Sequence, residues 1–307
     1  MADCLGQQLY VIGMGPISQS FPLIQGFHIL FNAASKFMGH MGNNNYYIAL
    51  SRIMPAVNFN MVSSGSRGNC SLVWDDETLL VFDFGITMKR FRERLELLGI
   101  NHREYSLFIS HEHSDHSKGI GMVKKYHSFD LYSREATLDA LRFRDGYSIK
   151  DSVAIGNFHV KAISVSHDAA DPVGYVVQSG NSRISIVSDL GKVSDELIRE
   201  TRDSDILAFE ANHDVEMLKY GRYPEMLKRR ILSNHGHLSN EQSAEAISSI
   251  AGTGTRIVLT HLSQENNTPD TAYSAIRDHL ENRSVQYASL ECATQDKGSS
   301  HMVVQKD

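Results

Sequence analysis

His111-Glu112-His113-Ser114-Asp115-His116 is the stretch on which the reading of this chain turns. It sets three imidazoles and the Asp115 carboxylate within one short segment. The run before it, Tyr105-Ser106-Leu107-Phe108-Ile109-Ser110, reads as a buried strand. The cluster therefore falls where an apolar strand ends and a loop begins, which in α/β folds is where ligands and chemistry collect. His111 and His113, two apart in an extended turn, can aim at one metal ion, and Asp115 and His116 at a second. A solvated histidine-rich turn is the plain alternative. Four ligand-type side chains among small or polar residues, directly after a strand, make it the weaker one.

The same arrangement recurs downstream. Val160–Ser166 reads as a strand followed by His167-Asp168, and Ile184–Ser188 as a strand followed by Asp189. Ile206–Phe209 leads into Glu210 and then His213-Asp214, and Ile257–Thr260 leads into His261. Each apolar run delivers a metal-type or acid–base residue to one face of a sheet. Imidazoles and carboxylates suit Zn²⁺, Mn²⁺ or Fe²⁺; Zn²⁺ is the default from the ligand types, with Mn²⁺ the alternative. A first cation would take His111, His113 and His167. A second would take Asp115, His116 and His261, and Asp189 is the natural bridge because a carboxylate has two oxygens to share. Two cations about 3.5–4 Å apart clamp a hydroxide and make it a nucleophile near pH 7. Asp83, closing Val81-Phe82-Asp83, is either an acceptor that orients a ligand histidine or a turn-capping residue.

Outward from these motifs, the regular pattern begins at Val57. Val57–Val62, Cys70–Trp74 and Leu79–Asp83 read as strands, and Met88–Leu98 as an amphipathic helix stopped by Gly99. Strands and helices alternate to about residue 281, and Val285–Leu290 and Met302–Val304 read as closing strands. This is an α/β pattern. Residues 1–54 differ, with Gly13-Met14-Gly15 outside any strand–turn–helix frame, and are expected to be an N-terminal extension, loose or adventitious, ahead of a hydrolase domain over 55–307.

Composition narrows the function classes. The 307 residues are 41% hydrophobic, enough for a sizeable core, and no window approaches ~18 uninterrupted apolar residues, so a membrane span is not expected. The start lacks a basic and then apolar leader. Cys4, Cys70 and Cys292 are odd in number and widely spaced, which fits a reduced, cytoplasmic protein. A net charge of −6 gives no global basic field, so any polyanion must be held locally.

His111–His116, with His167, Asp189 and His261 following in order, resembles the HxHxDH signature and later ligands of the metallo-β-lactamase superfamily. The resemblance covers roughly residues 57–307 and implies a four-layer αβ/βα sandwich with a dinuclear site at one edge. The finer likeness is to the YycJ-like (WalJ-like) branch. It rests on Ser63-Ser64-Gly65-Ser66-Arg67-Gly68-Asn69, on Ser166–Pro172, and on Glu210–Leu218 with Gly221-Arg222-Tyr223-Pro224. That branch implies a DNA exonuclease working from a 5′ end. Phe209-Glu210-Ala211 and Gly236-His237-Leu238-Ser239 are also similar to motifs of tRNA 3′-processing endonucleases. Carried over, Glu210 would orient His237 and His237 would protonate the leaving oxygen as general acid, with Asp115 a catalytic ligand. The tRNA-binding arm of those enzymes has no counterpart here.

For the substrate, the Ser63–Asn69 loop offers backbone N–H groups that could cradle a phosphate, with Ser66 and Asn69 as contacts. His213 and Arg222 are further candidates. Lys219, Arg222, Lys228, Arg229 and Arg230, interleaved with Tyr220 and Tyr223, form the densest basic patch; a solvated helix face is its plain alternative. His235 reads as a wall residue. The expected activity is phosphodiester cleavage of nucleic acid, DNA ahead of RNA, with no membrane partner and an oligomeric state left open, a dimer included. The alternatives are RNA processing, hydrolysis of a small β-lactam, lactone or thioester, and a non-enzymatic scaffold that keeps its metals for stability.

Overall fold

The structure is a computed structural model that describes residues 56–306 apart from Arg103 and His127. The extension expected over residues 1–54 lies outside the described residues.

Two seven-stranded sheets are built by the same plan. In the first, β1 (Val57–Ser63), β2 (Cys70–Trp74) and β3 (Leu79–Phe82) form an antiparallel meander. To it β4 (Glu104–Phe108), β5 (Ser128–Ser133) and β6 (Tyr147–Ser148) are added in parallel. In the second, β7 (Ser152–Ile155), β8 (Phe158–Ser164), β9 (Val173–Ser179) and β10 (Ser182–Val187) are antiparallel. The strands β11 (Ile206–Glu210), β12 (Arg256–Thr260) and β13 (Ser289–Cys292) then extend it in parallel. The last strand, β14 (Met302–Val304), returns to pair antiparallel with β1.

Alternation along the strands decides the layering. Leu80, Phe82, Ala208 and Val258 point between the sheets into one core shared with Phe59, Phe108, Val160 and Tyr175. Their neighbours Leu79, Val81 and Leu107 point outward against Phe91 and Leu95 of the helix α1 (Met88–Leu97) and against Val123 of α3 (Ile120–Tyr126). On the far side Leu207, Ile257 and Leu259 meet Leu197 of α5 (Asp195–Thr201), Ile247 of α8 (Asn240–Ile250) and Ile276 of α9 (Pro269–Asn282). Strands apolar on both faces require helices on both outer surfaces, and the result is the expected αβ/βα sandwich. Each such valine, leucine, isoleucine or phenylalanine side chain, at 9% exposure or less, contributes roughly 1.5–3 kcal/mol. Four shorter helices fill the loops: α2 (Ser114–Ser117), α4 (Glu135–Ala140), α6 (Val215–Tyr220) and α7 (Glu225–Ile231). None of the helices described is long and apolar enough to cross a membrane.

Helix ends follow local chemistry. Thr87 caps α1, whose buried face is Met88, Phe91 and Leu95, and the chain leaves through Gly99 at φ +68. Ser239 and Gln242 form a reciprocal capping box at α8. One expected strand is misplaced: Val285–Leu290 pairs with β12 only from Ser289 onward. Before that, Val285 N donates to Leu280 O and finishes the end of α9, so the apolar Val285 and Tyr287 pack as a helix-to-strand turn.

Candidate metal centre

The site forms where the strands of both sheets end. Asp83 follows β3, Asp189 follows β10 by one residue and His261 follows β12, and all three hold left-handed backbone, with φ 58, 58 and 53. Asp and His tolerate this region better than most residues, at a cost on the order of 1 kcal/mol each. The turn swings each side chain off its strand and toward the gap between the sheets. The loops after β3 and before β2 also cradle the histidine motif: Phe84 N donates to His116 O at 2.7 Å and Asn69 N to Asp115 O at 2.7 Å. Gly85 lies so close that a Cβ there would sit 1.5 Å from Asp115 O.

The seven residues expected as ligands are brought together in the two expected sets. Donor atoms of His111, His113 and His167 lie within 4.8 Å of one another, as do those of Asp115, His116, Asp189 and His261. Asp189 stands between the sets, with Oδ2 3.1 Å from His116 Nε2, and Oδ1 3.5 Å from His261 Nε2 and 3.9 Å from His167 Nε2. Hydrogen bonds behind the rings fix which nitrogen faces inward. His116 Nδ1 is 2.7 Å from Asp83 Oδ2, and His167 Nδ1 is 3.0 Å from Gly236 O, so each Nε2 is left for the pocket. Asp83 therefore orients a histidine, and it also accepts from Ser110 N and Oγ.

These donors fit divalent cations on the protein's own geometry. His111 Nε2 is buried without a hydrogen-bond partner, and the buried Asp189 Oδ2 faces the His116 imidazole at 3.1 Å without a well-formed hydrogen bond. Orphaned buried acceptors are costly unless a positive charge meets them. Burial works to raise the Asp189 carboxyl, yet His261 and His116 overcome it and hold the group well below the carboxylate range. Burial likewise works to lower His261, but Asp189, Asp115 and Glu210 carry it up to about 10. His111 is pushed well down by burial, with His116 adding to the effect. The pocket thus demands positive charge on the lone pairs facing the carboxylates, and a proton or a metal ion answers the same demand.

Beside the clusters, Glu210 Oε1 lies 2.7 Å from His237 Nδ1, and Glu210 Oε2 accepts from Leu190 N at 2.8 Å. Burial would raise the fully enclosed Glu210 carboxyl, but the His237 imidazole holds it below its ordinary value. His237 also stacks on His261, with centroids 5.2 Å apart, and its side chain keeps 13% exposure. Ser239 of the same motif is the N-cap of α8, so it anchors the segment carrying His237.

Residues 88–262 match the family described as Beta-lactamase superfamily domain. The chain belongs to the metallo-β-lactamase superfamily. It is 35% identical over 238 residues to exodeoxyribonuclease YycJ of Bacillus anthracis, covering 74% of this chain and 90% of that protein. It is 33% identical over 235 residues to exodeoxyribonuclease WalJ of Streptococcus pneumoniae, covering 72% and 87%. Among solved structures it is similar to the metallo-beta-lactamase fold protein YhfI from Bacillus subtilis, with TM-score 0.59 and 15% identity over 81% of this chain and all of that one. Human tRNase Z, short form, shares the fold with TM-score 0.53 and 16% identity over 81% and 98%. As a member of this superfamily in the YycJ/WalJ-like branch, the chain is a metal-dependent hydrolase.

The substrate-contact candidates of this superfamily member are placed unevenly. Ser66 is exposed at the loop tip. Asn69 is buried instead: its Oδ1 accepts from Gly65 N at 2.8 Å, and its Nδ2 is 3.2 Å from Asp115 Oδ2 and 3.0 Å from His116 Nε2. It therefore props the ligands. His213 is 1% exposed with both ring nitrogens unpartnered, enclosed behind the site. Arg222 is exposed in the turn after α6, and His235 is exposed beside Ser166. Within the basic patch, Lys228 Nζ is spent on Lys219 O at 2.8 Å. Ser64, whose Oγ accepts from His261 N at 2.7 Å, and Asn212, which donates to His261 O at 2.8 Å, lie in the quoted motifs, but the sequence does not show that they support His261.

Proposed function

We propose that this protein is a dinuclear metal-dependent phosphodiesterase that degrades DNA from a 5′ end. One cation would be held by His111, His113 and His167, the other by Asp115, His116 and His261, with Asp189 shared; Zn²⁺ is the leading metal from these donors and Mn²⁺ the alternative. Bound there, such ions supply Lewis acidity toward a phosphoryl oxygen and lower the pKa of water toward neutrality. The observation that carries the reading is the 2.7 Å contact between Glu210 and His237, set against Asp189. Phosphodiester cleavage expels an alkoxide that needs a proton, a task this pair suits; a lactone or lactam also expels a group that takes up a proton, so the preference for a phosphodiester over those substrates is supported by the exodeoxyribonuclease relatives. Glu210, pinned by Leu190 N, fixes the ring, and His237 keeps its other nitrogen for the leaving oxygen. DNA as substrate is supported by the two relatives named exodeoxyribonucleases, whose lengths this chain nearly spans.

The direct test offers 5′-phosphorylated DNA, 5′-hydroxyl DNA and RNA to metal-loaded protein. Release of nucleotides from the 5′ end of DNA is the expected result, lost in Asp115→Ala. Wild-type protein that cleaves no phosphodiester with either Zn²⁺ or Mn²⁺ overturns the proposal.

A further inference from the structure

Asp168 directly follows His167, and its carboxylate faces two ways. Oδ1 lies 3.4 Å from His167 Nε2, the nitrogen turned into the metal pocket. The same carboxylate takes both arms of Arg230, with Nε on Oδ2 at 2.5 Å and Nη2 on Oδ1 at 2.9 Å. Arg230 lies in the last turn of α7, and the turn beyond it is already tied to the Asp168 loop. Ser166 Oγ donates to Asn234 O at 2.7 Å, and His167 Nδ1 faces Gly236 O at 3.0 Å. Loop and turn are thus held together by other bonds besides the ion pair.

A guanidinium has five N–H donors in a rigid fork. Asp168 uses two of Arg230's, and among the described residues three remain for another acceptor on a side chain that is 46% exposed. The fork matches a phosphate, and Asp168 has already oriented it. Through Asp168 it stands beside the ligand set rather than within it. The geometry points to Arg230 as the residue that grips the strand phosphate next to the one being cleaved, with Asp168 as its positioning residue. Among the described residues Arg222 has no comparable bidentate carboxylate partner, and Lys228 is spent on Lys219 O. Asp168 foremost, and Asp189 and Asp115 at longer range, raise the already high pKa of the Arg230 guanidinium.

This inference rests on the phosphodiesterase reading, and two substrates separate their fates. A 5′-phosphorylated single-stranded oligodeoxynucleotide has neighbouring phosphates; bis(p-nitrophenyl) phosphate has none. With metal content and melting temperature matched to wild type, Arg230→Gln is expected to raise KM for the oligonucleotide about 10- to 100-fold with kcat within about two-fold. It should also reduce the salt slope of KM by about one, and leave turnover of the small diester unchanged. Arg230→Lys should restore the salt slope but only part of KM, because lysine is a point charge without the fork. Asp168→Asn should raise KM less than Arg230→Gln does. If Arg230→Gln leaves KM and salt slope unchanged in an enzyme that degrades DNA, the inference fails and the phosphodiesterase reading stands. Equal losses on both substrates, carried by kcat, would also overturn it. A wild type that cleaves neither substrate removes both.

Discussion

Single residues divide into those that meet the reacting atoms and those that aim others. On the proposed phosphodiesterase reading, His237 belongs to the first group. Replacing it with alanine should lower DNA cleavage about 10²- to 10⁴-fold. The loss should shrink on a p-nitrophenyl diester, whose leaving group departs without a proton; steady-state rates on the two substrates check this. Asp83 belongs to the second group. With its Oδ2 2.7 Å from His116 Nδ1, Asp83→Ala should weaken metal affinity about 10- to 100-fold, measured by competition with a chelator. His213 supplies a pH signature. Burial pushes its imidazole from 6.5 down to about 4. Above pH 6.5 it is neutral in both folded and unfolded chains, so its contribution is complete. As the pH falls from 6.5 to 4, the unfolded chain takes up a proton that the folded chain refuses, and on the order of 3 kcal/mol of stability is lost. In denaturant melts across that window, His213→Gln should flatten the acid slope; an unchanged slope contradicts the assignment.

Elements bring these residues together by ending in the right places. The sequence showed which apolar runs end at chemistry, because strands apolar on both faces followed by His, Asp or Glu are visible as pattern. It did not show how they end. Asp83, Asp189 and His261 turn through left-handed backbone, and nothing in the residues' order distinguishes such a turn from continued strand. Asn69 read as a phosphate contact because a Gly/Ser loop does not reveal which side of it faces the protein; its burial follows from Asp115 O accepting from its own N–H. Val285–Leu290 read as a strand because Val285 and Tyr287 are apolar, although their burial comes from packing at the end of α9. The closeness of Gly85 to Asp115 is likewise a tertiary fact. Gly85→Ala must displace the Asp115 backbone, since its Cβ would sit 1.5 Å from the carbonyl oxygen. It is expected to lower metal occupancy and the melting temperature together, read by elemental analysis and calorimetry, while a variant with full metal content would refute that coupling.

Across the described residues, two sheets of like plan face each other over one core, and each contributes candidate ligands to the shared edge. His111, His113, Asp115 and His116 come from the first sheet's side, and His167, Asp189 and His261 from the second. Cations bound between them would join the halves, so chelation should lower the melting temperature by an amount that grows with the logarithm of metal affinity. Metal loading should also release protons, since the same lone pairs serve either charge. The central claim is that these residues hold a cation pair bridged by Asp189. Metal stoichiometry of the protein after reconstitution and removal of loose ions tests it most directly. The account predicts two divalent ions per chain, falling to one or none in Asp189→Ala. A fully active wild type holding a single ion, or an Asp189→Ala variant that keeps two, would contradict it.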